Sequence, residues 1–207
     1  MSTQPHGQRL GLRWAAATLV VAALPWLASC ASTPAVGTLD PGGLDGVFIT
    51  GLVRVDDSRD IGFGTAMVNN SETESITFGT IELIGAQGID LVEAFSTSMD
   101  HQIGIGVPMP PHAGDDGVPP GQMENWGLRT PLGQTVLRPQ EILMLMLVIH
   151  PTSADDCLHA QGFRLTYREF GHDLTVVSNM AMILYYDTSG EACSDVGDYL
   201  RSHPVKR

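Results

Sequence analysis

Three cysteines, 6% aromatics and eleven basic residues against 23 acidic ones limit what this chain of 207 residues can be. A formal net charge of −12 disfavours nucleic acid and anionic lipid surfaces as partners, because both are polyanions. No stretch reads as Gly-x-Ser-x-Gly, as His-Glu-x-x-His or as a phosphate-cradling glycine loop. The signatures of common hydrolases, zinc proteases and nucleotide-binding proteins are therefore missing. Also missing are charge-laced helical patterns and any apolar run of the roughly 20 residues that cross a bilayer as a helix. The cysteines lack the close spacing of a thiolate metal site. These absences lead to the expectation of a non-enzymatic protein with no cofactor.

What is present begins at the N-terminus. Residues 1–13 carry Arg9 and Arg13 and no acidic residue, and Trp14 to Ser29 is uncharged and mostly apolar. That is too short for a span, and no basic cluster follows it to stop transfer, so it reads as a cleaved signal peptide. The run ends in Leu27-Ala28-Ser29-Cys30: a large aliphatic residue, two small ones, then a thiol that can carry lipid. An ordinary signal peptide cut elsewhere would leave Cys30 incidental, but the small residues and the cysteine fall together at the correct end of the run.

This segment resembles the lipobox of bacterial lipoproteins. The resemblance implies a diacylglyceryl thioether on Cys30 and an acylated amino group (palmitate or a similar chain). Several acyl chains anchor firmly where one binds only marginally. The expected location is thus the extracytoplasmic face of the cell membrane, with the lipid on Cys30 as the membrane contact. Removing residues 1–29 takes away two arginines and no acid, so the mature charge is −14. Cys157 and Cys193 are then left as an even pair in an oxidising compartment, which reads as a disulfide. It would close a loop of roughly 37 residues, worth about 4 kcal/mol in the chain-entropy model.

Residues 30–45, small and turn-forming, read as the lipidated cysteine and a flexible tether. From Gly46 the pattern has period two. Val47 to Val55 and Ile61 to Val68 read as strands, and Asn69-Asn70-Ser71 as a hairpin turn into the next. In Ser75 to Ile84, Ile76 and Phe78 share one face while Ile81 and Leu83 share the other. A β-bulge at Gly79-Thr80 produces that slip. Gly88 to Phe95 is a fourth strand. Val136 to Ile149, after the Pro139-Gln140-Glu141 turn, holds a run apolar at every position, as in a strand buried on both faces. Phe163, Leu165 and Tyr167 alternate with Arg164, Thr166 and Arg168, a half-buried strand that turns at Gly171-His172-Asp173 into Leu174 to Tyr186.

Residues 97–131 break the pattern. Pro108, Pro110, Pro111, Pro119 and Pro120 bar a central strand, so this is a long surface excursion with an edge strand around Glu124 to Leu128. Long loops on rigid scaffolds commonly carry recognition, which makes it the expected contact for a protein partner. The whole reads as an all-β, Ig-like β-sandwich of about seven to eight strands over residues 46–193, followed by a polar tail over 194–207. On the lipobox and the spacing of VNNS, LRPQE and FRLTYREFGH, the mature part resembles Ig-like extracytoplasmic domains of uncharacterised actinobacterial lipoproteins. That resemblance transfers no active site.

Two further chemistries are open. Met99, His101, Met109, His112 and Met123, in or beside the excursion, are ligand types suited to copper, though each also has an ordinary reading as packing or a solvated loop. The pairs Asp56-Asp57, Asp115-Asp116 and Asp155-Asp156 could gather around calcium, but aspartate is common in turns for local hydrogen-bonding reasons.

Overall fold

The structure is a computed structural model that describes residues 37–41, 48–54, 59–101, 103, 106–112, 121–186 and 193–205. Cys30 and the acidic turns Asp56-Asp57 and Asp115-Asp116 lie outside the described residues. The strands, in chain order, are β1 (Leu39–Asp40), β2 (Phe48–Arg54), β3 (Asp60–Asn69), β4 (Ile76–Ile84), β5 (Ile89–Ser98), β6 (Val107–Met109) and β7 (Thr130–Pro131). They continue with β8 (Val136–Leu137), β9 (Ile142–Pro151), β10 (Cys157–Ala160), β11 (Gly162–Glu169), β12 (His172–Ser178) and β13 (Met180–Tyr185). Helices α1 (Gln122–Gly127) and α2 (Ser194–Ser202) complete the fold. Among the described residues eight strands run six residues or longer, and the protein is an all-β sandwich.

One layer is an antiparallel sheet in the order β1-β3-β9-β5-β7, with β6 also pairing β3. The other layer is made of β12-β11-β4-β8 and β10-β13-β2, the last pair running parallel. The chain passes between these two smaller sheets at Gln161 and again at Asn179, so they continue one another. Where they cross, a Cβ on Gly162 would lie 2.1 Å from the Ser178 carbonyl oxygen, so only glycine fits. Between the layers sits the main core, with Phe63, Phe78, Leu145, Leu147, Phe163 and Leu184 at its centre.

Several expectations hold in detail. β9 is buried on both faces, and β11 buries Phe163, Leu165 and Tyr167 while Arg164 and Arg168 face solvent. The register between β4 and β11 shifts opposite Thr166, between Phe78 and Ile81, which is the bulge that the phase slip at Gly79-Thr80 requires. Cys157 and Cys193 form the disulfide. It ties the start of β10 to the residue preceding α2.

Others need correction. Asn69-Asn70-Ser71 does not close a hairpin, because β3 pairs with β9 and β4 with β11. Asn69 is fully buried at a corner where the chain changes layer. It donates to the Glu74 and Leu137 carbonyls at 2.8 and 3.1 Å and accepts from the Ser71 amide at 2.9 Å. The local hydrogen bonds of a turn are made, but they serve a crossover. Leu174 to Tyr186 is two strands rather than one, split at Asn179 between two sheets. The stretch Glu124 to Leu128 lies largely in helix α1 rather than an edge strand, and the tail at 194–207 carries helix α2. Within the supposed tether, Leu39–Asp40 pair with β3, and Thr38 donates its amide to the buried Glu169 at 3.0 Å.

Candidate binding cleft

The excursion does not stand away from the sandwich. By strand alternation β5 and β9 turn Phe95, Met144, Met146 and Val148 to the outer face of the six-stranded sheet, and Ile103, Val107 and Met109 pack on them as a second core. Gly62 makes room: a Cβ there would lie 2.3 Å from the Met109 methyl carbon. Trp126 of α1 meets Phe95 edge to face at 5.2 Å, and the Arg129 guanidinium stacks over Trp126 at 4.1 Å while contacting Glu93 at 3.4 Å. The far limb of the excursion is thereby fixed against β5.

Beside that limb, at an open end of the sandwich, lies a cleft of about 470 Å³. β5 supplies Ser96, Thr97 and Ser98, and the 3-10 turn that follows supplies His101. Leu128 and Thr130 come from the segment after α1, Gln134 and Thr135 from the end of the next 3-10 turn, Val136 from β8, and Glu141 and Leu143 from the turn before β9 and the start of β9. Most of this wall is hydroxyl, amide or aliphatic. Among the described residues, the titratable side chains lining it are His101 and Glu141.

Its polar groups are partly preset. Ser98 Oγ lies 2.8 Å from His101 Nδ1, fixing the ring and leaving Nε2 for other contacts. Ser96 Oγ lies 2.8 Å from Thr135 Oγ1, and both residues are buried. Glu141 accepts the Arg138 amide through Oε2 at 2.7 Å, closing the Pro139-Gln140-Glu141 turn and leaving Oε1. Thr97, at 5% exposure, keeps its Oγ1 without a hydrogen-bond partner among the described residues. The rim is apolar: Leu128, Val136 and neighbouring Ile142 are about half exposed.

The copper candidates are placed on different elements. Met99 and His101 share the turn after β5, both exposed. Met109 is 3% exposed and packs on Met146 and the Gly62 backbone. His112 accepts from Arg59 Nη2 at 3.2 Å, and Met123 is exposed on α1. Among the described residues no three His, Cys, Asp or Glu side chains gather to hold a metal. Asp155 accepts from the Ser153 hydroxyl in a local turn. No described helix is long and apolar enough to cross a membrane.

Sequence reasoning placed the candidate surface at 97–131 and missed the cleft itself. Thr135, Val136 and Glu141 are far from Ser96 to His101 in sequence and meet only through the pairing of β9 with β5 and of β8 with β4. Their residue types carry no signal that distinguishes them from ordinary turn and edge residues.

No family model matches the chain, and no curated protein matches it in sequence. Among solved structures it is similar to the ASH / PapD-like domain of human CEP192 (PapD-like domain 7), with a TM-score of 0.33 and 6% identity over 74% of this chain and 91% of that one.

Proposed function

We propose that the protein is a non-enzymatic binding module, held by lipid on Cys30 at the extracytoplasmic face of the cell membrane. The observation that carries the binding half is the cleft. Side chains from both layers and from the excursion's two ends converge on one concavity of a size that takes small ligands. The tethering half is supported by the uncharged run ending in Leu27-Ala28-Ser29-Cys30 and by a disulfide suited to an oxidising compartment. The part of the excursion that packs on Phe95 and Met146 serves as scaffold, and the partner surface narrows to the cleft at its flank.

Fractionation tests the tether. Wild-type protein sediments with membranes and is digested by protease added to intact cells, whereas Cys30→Ser protein moves to a soluble fraction. Equal sedimentation of both removes lipid on Cys30 as the anchor.

A further inference from the structure

Resting on that reading, we infer that the cleft takes a neutral carbohydrate, a short oligosaccharide bound along the wall between Thr130 and Glu141. The first ground is charge. Among the described residues the cleft is lined by one carboxylate and by no lysine or arginine, and the chain carries a net charge of −12. Phosphates, sulfates and uronic acids would meet repulsion with no cation to offset it. Arg129, the guanidinium next in sequence to the wall, is committed to Trp126 and Glu93.

The second ground is the kind of polar group offered. The Thr130 hydroxyl, the Gln134 amide, the free Oε1 of Glu141 and Nε2 of His101 supply donors and acceptors side by side. Neighbouring sugar hydroxyls, each both donor and acceptor, can satisfy such a mixed set, whereas an aliphatic ligand would leave it unpaired. The apolar side chains of Leu128 and Val136, each about half exposed, match the C–H faces of a pyranose ring.

The third ground separates a sugar from an extended peptide. A peptide would gain most of its affinity by adding a strand to the edge of β5. That edge is occupied by β7 at Phe95 and Ser96, and β5 ends at Ser98 where the 3-10 turn Met99–His101 begins. At the cleft only Thr97 and Ser98 of that edge remain, too short a ladder for strand addition there. Recognition therefore falls to side chains, as it does for a sugar.

The test uses full-length protein in a polyoxyethylene detergent, which carries no sugar, against an array of neutral oligosaccharides of glucose, mannose, galactose, arabinose and N-acetylglucosamine. The same array carries sulfated and uronic-acid sugars, and a random peptide library is screened in parallel. The inference expects a neutral oligosaccharide to bind, with affinity falling about five- to tenfold for each of Gln134→Ala and Glu141→Gln, one lost hydrogen bond apiece. Thr80→Ala, in β4 beside Thr166 and outside the cleft lining, leaves it unchanged. Preference for sulfated sugars, or peptides bound in a way that these two variants weaken, would overturn the ligand class while keeping the cleft as a binding site. Binding of no probe of any kind would overturn the binding module as well.

Discussion

β9 and β11 are both central strands, yet one is apolar at nearly every position and the other alternates strictly. The difference lies in what covers their outer faces. β9 turns Leu145 and Leu147 to the main core and Met144, Met146 and Val148 outward, where Ile103, Val107, Met109 and Trp126 roof them over. β11 turns Phe163, Leu165 and Tyr167 inward, while Arg164 and Arg168 meet solvent. A strand's hydrophobic pattern thus counts the layers around it: period two marks one covered face, and an unbroken run marks two. A third surface, the outer face of β10 and β13, lies between these cases. There α2 lays Val196 and Leu200 on Ala181 and Ile183, and the Cys157–Cys193 bond holds it in place.

Substitutions that strip the roof break the comparison most sharply. Phe95→Ala, beneath Trp126, should cost about 3–5 kcal/mol in urea unfolding, as much as a main-core phenylalanine. A loss under about 1 kcal/mol would show that the excursion covers the sheet without supporting it. Next comes the α2 flank. Replacing both Cys157 and Cys193 by serine should remove about 4 kcal/mol while leaving the Phe95→Ala penalty additive to it, since the two sites share no partner.

The same flank gives a pH effect. His159, 7% exposed and paired in register with Ile183, has Nδ1 without a partner among the described residues, and burial lowers its pKa from 6.5. The unfolded chain therefore binds a proton first as pH falls. Stability is fully present above about pH 6.5 and declines below it, and His159→Gln should flatten the urea midpoint between pH 7 and pH 5. Identical slopes for both proteins would remove His159 as the cause. The smallest effect belongs to the bare face. Arg164→Ala breaks a solvent-exposed 2.9 Å pair with Glu82 and should cost no more than about 0.5–1 kcal/mol.

Period two and its single slip made the fold class, the bulge at Gly79-Thr80 and the two-faced burial of β9 legible in the residues. Partners were much less legible. Asn69-Asn70-Ser71 has turn chemistry whether the chain reverses beside itself or crosses to the other layer, and only long-range packing decides. α2 escaped notice because Val196 and Leu200 are too few for a periodic signal; the disulfide and the sheet beneath supply what the sequence pattern lacks. The cleft was illegible for the same reason as the layer crossing. Its wall is assembled from segments whose neighbours are set by strand pairing, and Gln134 or Thr130 alone looks like any exposed polar residue.

The tether can be read directly from the mass of the N-terminal peptide in protein taken from the membrane fraction. The account predicts a chain beginning at Cys30 with a diacylglyceryl thioether on its sulfur and a blocked amino group. A chain that retains residues 1–29, or one whose Cys30 carries a free thiol, would contradict it.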